Sequence, residues 1–140
     1  YEVSGASRFV NSLSLFIKQQ DEDIKVDLLS HNYSHLYPIR IIDNIPIFSL
    51  EDIAAMKLNA IANRGAKKDF YDIHALLNNF SIKDLLGFFE KKYDQMNSFT
   101  VVKSLVYFAD AELEPEPVSL ANVTWEVIKK NLKNQIQTIR

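Results

Sequence analysis

The spacing of apolar residues separates an N-terminal part with short apolar runs from a longer part with helical periodicity. Residues 24–30 (IKVDLLS) form a short run rich in strand-forming side chains, which favours a strand. Two further apolar runs within residues 38–48 flank Asp43-Asn44, a pair typical of a tight turn, so they predict a hairpin. Pro46 has no N–H to donate and is expected at an edge or at the start of its strand.

The segment before these strands predicts a helix over residues 7–20. Its apolar residues stand at helical spacing, at Phe9, Leu13, Phe16 and Ile17. The acidic residues 21–23 (DED) then predict a polar turn.

From Ser49 onward the apolar period changes from two to about 3.6 residues, which predicts helices. Ser49 is a favoured N-cap, Asp52 completes a motif like a capping box, and Gly65 is placed to end a helix over residues 49–64. Residues 114–117 (EPEP) predict an extended connector, because each proline disfavours helix at the preceding residue. Further helices are predicted over residues 67–79, from Ser81, from Ser98 through residue 112, and from Asn122 or Thr124.

Strands that precede a helical majority indicate an α+β fold. The length of 140 residues is usual for one domain. We expect residues 1–48 to hold the β element and residues 49–140 to form a helical domain, with the two packed together as one unit.

Composition narrows the possible functions without choosing one. The formal net charge is −2, so any nucleotide or RNA contact has to come from a local basic patch. The chain has no cysteine, which removes disulfides and thiolate metal sites and fits a reducing cytoplasm. These 140 residues contain no signal-peptide pattern and no apolar run long enough to cross a bilayer, so we expect a cytoplasmic protein without membrane contact.

Lys57 occupies an unexpected position on the first predicted helix. At about 100° per residue, Leu50 and Ile53 lie on a broad apolar face, and Lys57 falls between them. Arg64, two turns later, lies along the same direction. An unpaired charge is costly to remove from water, so Lys57 either extends to solvent or meets anions within the fold. With Arg64 it could also line a groove that accepts phosphate. The opposite face, expected in water, holds Glu51, Asp52, Asn59 and Asn63.

Three carboxylates are candidates for partners or ligands. Asp69 and Asp72 are one turn apart on the second predicted helix, where acids of a first turn also favour the helix dipole. Asp72 stands four residues after Lys68 and could simply pair with it. Asp27 points away from the face of Val26 and is either solvated or a rigid ligand for a cation such as Mg²⁺.

Three segments, in this order, resemble the AbiEii/AbiGii toxin-like nucleotidyltransferases, a family of bacterial abortive-infection and toxin–antitoxin proteins. They are IKVDLLS, then IPIFSLEDIAAMKLNAIANRGAKKDFYDIHALL, then a tail with KSLVYFADAE, EPEP and TWEVIKK. The order and spacing carry the resemblance, and the central pattern KxxAIxxRGxKKDFxDI is its specific part.

The resemblance implies part of a polymerase-β-like sheet in residues 1–48, followed by a helical domain. It implies transfer of a nucleotide from an NTP to an acceptor, with release of pyrophosphate. For members of this family, the acceptor of the nucleotide has been linked to tRNA ends. The resemblance also implies a cognate antitoxin protein as a partner. Mg²⁺ is the implied cofactor.

The resemblance also assigns roles to residues of this chain. Lys57 would contact the triphosphate, and Asp72, with Asp69 beside it, would be the late acidic position of the active site. The supporting roles would be metal binding by Asp27 and positive charge from Arg64 and Lys68.

One motif of the family is not found in the chain. The family begins with a Gly-Ser turn and an Asp-x-Asp on a strand, which carry two metal ligands. Asp21 and Asp23 imitate the second part, but Gln19 and Gln20 precede them, so we interpret them as turn residues. The motif is expected before Tyr1, and these 140 residues alone are expected to be inactive.

A second interpretation belongs to a different class of protein. The chain could be a non-catalytic helical module that binds a partner protein or RNA. The last helix has a basic side that is either solvated or faces RNA, formed by Lys129, Lys130, Lys133 and Arg140.

Overall fold

The computed structural model describes residues 2–20 and 22–139. This part of the chain has the predicted α+β fold, in which strands precede a helical majority. It divides into two compact units, Tyr1–Tyr33 and Ser34–Arg140. The strands are β1 Glu2–Phe9, β2 Ser12–Gln19, β3 Glu22–Leu29, β4 Arg40–Ile42 and β5 Ile45–Ile47. The helices are α1 Leu50–Asn63, α2 Lys67–Leu76, α3 Ile82–Lys92, α4 Ser98–Ser104, α5 Ala109–Glu112 and α6 Trp125–Gln137.

The first unit is an antiparallel sheet in the order β1-β2-β3. The strand expected over residues 24–30 is confirmed by β3, but the helix expected over residues 7–20 is wrong. Those residues contain the end of β1, a turn and all of β2. Serine and apolar residues alternate at the start of β2, and its apolar residues pair across the strands as Leu13 with Leu28, Leu15 with Val26 and Ile17 with Ile24. Period-two pairing therefore determines this segment, although some of its apolar residues also fit helical spacing.

The turn expected at residues 21–23 is also corrected in part. Asp23 lies inside β3 and pairs with Lys18, so it is a strand residue. Asp21 lies outside the described residues.

The second unit begins with the predicted hairpin. β4 and β5 are antiparallel, and the residues between them, Asp43 and Asn44, have φ angles of 49° and 64°. Both values fall in the left-handed region that the tightest hairpin turns require and that asparagine and aspartate tolerate. Pro46 pairs with Ile41 in this two-stranded sheet, as expected of an edge residue.

The helix boundaries follow the predicted signals. The Ser49 side chain accepts the Asp52 N–H at the start of α1, and Gly65 has a φ of 57° just after α1 ends. Ser81 and Asp84 form a capping box at α3. The helix expected from Ser98 through residue 112 is interrupted and appears as α4 and α5.

The core of the second unit lies among its helices. α1 packs against α2, α3 and α4, and α2 packs against α6. The rings of Phe70, Phe108 and Trp125 contact one another in this core. Tyr93 is buried, whereas Phe99 and Tyr107 are exposed. No helix in the described part of the chain has the length and apolarity of a membrane span.

Asp52 is fully buried, which corrects its expected place in water. Its carboxylate accepts hydrogen bonds from Ser49 Oγ at 2.8 Å and from the Leu36 N–H at 3.0 Å, and it pairs with Lys92 Nζ at 2.6 Å. Burial alone would raise the pKa of Asp52, but Lys92, the Leu36 and Tyr37 amides and Ser49 lower it to about 2. This pair fixes the start of the second unit to α1 and α3.

Candidate functional site

The Lys57 side chain of α1 meets two carboxylates of α2. Its Nζ lies 3.3 Å from Asp69 Oδ1 and makes an ion pair with Asp72 Oδ2. The side chain of Lys57 is only 29% exposed. Lys57 was expected either to extend to solvent or to meet anions within the fold. The geometry shows the second arrangement.

Asp69 is the buried centre of this cluster. Its side chain is 0% exposed, and Arg64 donates to both carboxylate oxygens, Nε to Oδ2 at 2.9 Å and Nη2 to Oδ1 at 3.1 Å. Burial alone would raise the pKa of Asp69, but Arg64 and Lys57 hold the pKa below its ordinary value. Asp69 is therefore ionised at neutral pH, with a cation on each side.

The local sequence explains why these groups meet. Lys57 and Arg64 are seven residues apart on one side of α1, or about two turns. Gly65 has the left-handed backbone that ends α1, and α2 begins two residues later at Lys67. Asp69 in the first turn of α2 thus lies beside Arg64, five residues earlier in the chain.

Asp72 differs from Asp69 in its exposure. Its side chain is 47% exposed, against 0% for Asp69. In the part of the chain that the structure describes, its ion pair is with Lys57 and not with Lys68, which the sequence also allowed. Burial lowers the pKa of the Lys57 ammonium, but Asp72 and Asp69 more than offset this and raise the pKa above its ordinary value. Lys57 is therefore a fixed positive charge at neutral pH.

Lys57, Arg64, Asp69 and Asp72 are called the α1–α2 charge cluster below. Two cations and two carboxylates make it formally neutral. Two of its residues are exposed to solvent, Asp72 and Arg64. The Arg64 side chain is 56% exposed. Lys68 is exposed next to it and shares with Asp72 the lining of a cleft of about 450 Å³ between α2 and residues 117–123.

Comparison with known proteins identifies the family. The family model described as nucleotidyl transferase AbiEii toxin, type IV toxin–antitoxin system, matches residues 7–139. The chain belongs to the AbiEii nucleotidyltransferase toxin family. An uncharacterized protein of Aquifex aeolicus (strain VF5) is 40% identical over 93 residues, which are 62% of this chain and 42% of that protein. The chain thus spans less than half the length of the curated relative it matches. No solved structure matches it.

A contact that the sequence did not predict fixes α2 of this AbiEii-family chain to the EPEP connector. The Lys67 N–H donates to Glu114 Oε2 at 2.8 Å, and Lys67 Nζ donates to the Glu114 carbonyl at 2.6 Å. Tyr71 Oη donates to Glu116 Oε2 at 2.5 Å. Glu114 thereby binds an N–H at the start of α2, where the N-cap Ala66 has no capping side chain. The sequence feature that could have indicated this contact is the pair of glutamates in the EPEP connector.

Asp27 lies on β3 in the other unit. Its carboxylate pairs with Lys25 Nζ at 3.0 Å and accepts from Ser14 Oγ at 2.5 Å, and the side chain is 43% exposed. Among the described residues, no three histidine, cysteine or acidic side chains are grouped so that they could hold a metal ion. Nucleotidyltransferases generally use a divalent metal.

One lysine on the basic side of α6, Lys129, is ion-paired, whereas Lys130 and Lys133 are exposed. Lys129 binds Glu112 at 2.5 Å and Glu126 at 2.7 Å, and Lys133 lies over the Phe108 ring. Arg140, also expected on this side, lies outside the described residues. The positive charge of Lys129 is therefore compensated by Glu112 and Glu126.

Proposed function

We propose that the α1–α2 charge cluster belongs to the site at which the complete protein transfers a nucleotide from an NTP to an acceptor. The observation that carries the proposal is the position of Lys57, on the inner face of α1 and held by two carboxylates of α2. A lysine needed only for solubility is expected on the exposed face of α1, because removing a charge from water costs free energy. Membership of a nucleotidyltransferase family supports a role for this lysine at the phosphates of the nucleotide.

The proposed step needs positive charge around the triphosphate. An acceptor hydroxyl oxygen attacks the α-phosphorus, and the bond from that phosphorus to the bridging oxygen breaks. Pyrophosphate leaves with the electron pair of that bond. Lys57, Arg64 and Lys68 stabilise the charge on the phosphate oxygens, and Asp72 accepts the proton of the hydroxyl. Asp69 belongs to the same site as the carboxylate that binds both Lys57 and Arg64.

Two further parts of the proposal rest on the family. Asp27 is proposed as one Mg²⁺ ligand of a site that needs further carboxylates, so the 140 residues alone are expected to be inactive. The proposed acceptor is a tRNA end, and the proposed partner is an antitoxin protein in a bacterial cytoplasm. The toxin–antitoxin character of the family supports this setting.

The test is nucleotide transfer by the protein expressed from its complete coding sequence. Each α-³²P-labelled NTP is incubated with Mg²⁺, the protein and total tRNA, and labelled RNA is resolved on a gel. We expect label on tRNA, and at least about a hundredfold less with Lys57→Ala, the range seen when one group that stabilises transition-state charge is removed. Lys91→Ala removes an exposed lysine of α3 and is the matched control. Equal transfer by Lys57→Ala and the control would refute the role of Lys57.

One observation favours a second candidate, the non-catalytic module. The charge cluster is formally neutral and satisfies its own charges, as a purely structural network would. This candidate predicts that the complete protein binds RNA or a partner protein but transfers no nucleotide under any of these conditions.

A further inference from the structure

Lys57 has two carboxylate partners that differ in how firmly each is held. Asp69 is fully buried and is also bound by Arg64 through two hydrogen bonds. Asp72 is nearly half exposed, and in the described part of the chain its ion pair is with Lys57. Movement of Asp69 would take a buried partner from both Lys57 and Arg64. Asp72 is the nearer carboxylate to Lys57, but its release costs only that one contact, and water that already reaches its side chain offsets part of the loss.

The charge balance makes this difference important for ligand binding. In the present arrangement Lys57 is neutralised by carboxylates, and a polyphosphate would approach a cluster without net charge. If Asp72 moves away, the remaining Lys57, Arg64 and Asp69 carry one net positive charge. Lys57 then has a free direction on its exposed side, and the exposed Lys68 lies on the same cleft as Asp72.

We propose that a polyphosphate replaces Asp72 at Lys57, while Asp69 stays bound to Lys57 and Arg64 as a positioning residue. The inference rests on the proposed function and assigns different roles to two carboxylates that are only three residues apart. Asp69 holds the two cations in place and does not touch the ligand. In the free protein Asp72 occupies the position at Lys57 that the ligand takes. Once displaced, the Asp72 carboxylate lies beside the bound phosphates and is free to accept the proton of the acceptor hydroxyl.

The experiment measures binding of inorganic pyrophosphate by calorimetry, without metal, to the complete protein. Asp72→Asn keeps the side-chain shape but removes the competing charge, so we expect affinity to rise several-fold. Asp69→Asn removes the carboxylate that holds Lys57 and Arg64 in position, so we expect the affinity for pyrophosphate to fall. If Asp69→Asn does not fold, Arg64→Lys tests the same positioning contact, because it keeps the positive charge and loses the two-point contact with Asp69. Asp94→Asn removes an exposed carboxylate outside the cluster and is expected to leave affinity unchanged.

The outcomes separate this inference from the proposed function. Tighter pyrophosphate binding by Asp72→Asn, with weaker binding by Asp69→Asn or Arg64→Lys, supports the inference even if no nucleotide transfer is found. Unchanged or weaker binding by Asp72→Asn overturns it, even if the wild-type protein transfers nucleotides. Absence of pyrophosphate binding to both the wild type and Asp72→Asn also overturns it.

Discussion

Arg64 and Asp69 are joined by two hydrogen bonds, from Nε to Oδ2 at 2.9 Å and from Nη2 to Oδ1 at 3.1 Å. The pair closes the turn between α1 and α2, and its buried carboxylate also receives Lys57. A two-point contact of this kind fixes the plane of the guanidinium as well as its position. The turn that forms the candidate site is therefore held by the same charges that are proposed to act in it.

Removal of the buried carboxylate should destabilise the protein. We expect Asp69→Ala to lower the free energy of unfolding by about 2 kcal/mol, below the 3–5 kcal/mol typical of broken buried pairs because Arg64 and Lys57 are partly exposed. Urea denaturation followed by circular dichroism measures this. Asp94→Ala, at an exposed position, is the control and should change the free energy by less than about 0.5 kcal/mol. A cost for Asp69→Ala as small as that of the control would show that the ion pairs are not stabilising.

The Asp52–Lys92 pair should show strong coupling. Both side chains are fully buried, so Lys92→Met leaves an unpaired carboxylate and should cost about 3–5 kcal/mol. Asp52→Asn alone should also destabilise, because it leaves the Lys92 ammonium without its anion. The double variant Asp52→Asn/Lys92→Met should cost less than the sum of the single changes. Additive costs in the double-mutant cycle would contradict direct coupling.

Stability should fall in acid because of the same carboxylate. The pKa of Asp52 is about 2 in the folded protein against 3.8 ordinarily, so its contribution is fully present above pH 4. As the pH falls below 4 toward 2, this contribution of about 2 kcal/mol is progressively lost. The lowered pKa of Asp69 acts in the same direction. Urea denaturation at a series of pH values should show a smaller acid loss for Asp52→Asn than for the wild type, and equal slopes would count against this assignment.

The EPEP connector should loosen when its glutamates are removed. Glu114→Ala/Glu116→Ala deletes the acceptors of the Lys67 N–H and of Tyr71 Oη, so hydrogen exchange should accelerate in residues 113–124 and at the start of α2. Exchange in α3 should not change. Glu126→Ala removes an exposed glutamate of α6 that pairs with Lys129 and is the control. Unchanged exchange in residues 113–124 would mean that other contacts hold the connector.

Local signals in the sequence predict much of the second unit. Ser49 and Gly65 mark the ends of α1, and Asp43-Asn44 marks the hairpin, because capping and turn geometry depend on a few adjacent residues. The helical wheel alone singled out Lys57, since it compares one residue with its own helix. The sequence also offered Asp69 and Asp72 of α2 as partners, and both carboxylates lie beside Lys57.

Contacts between distant segments were not predictable in the same way. Lys92 stands 40 residues after Asp52, and Glu114 stands 47 residues after Lys67. No local period links such residues, so Asp52 was expected in water and EPEP was interpreted only as a connector. Lys92 does lie three residues after Phe89 on the buried side of α3, which was a usable sign of a buried cation. The wrong helix over residues 7–20 has a related cause, because only pairing with β1 and β3 identifies β2 as a strand.

Lys57 is proposed as the amine that binds the phosphates of the nucleotide. Its reactivity can be measured directly by partial acetylation of the complete protein with and without NTP, followed by mass spectrometry of the peptides. The account predicts that a saturating NTP slows acetylation of Lys57 and leaves that of Lys91 on the exposed side of α3 unchanged. Equal acetylation of Lys57 with and without bound NTP would contradict it.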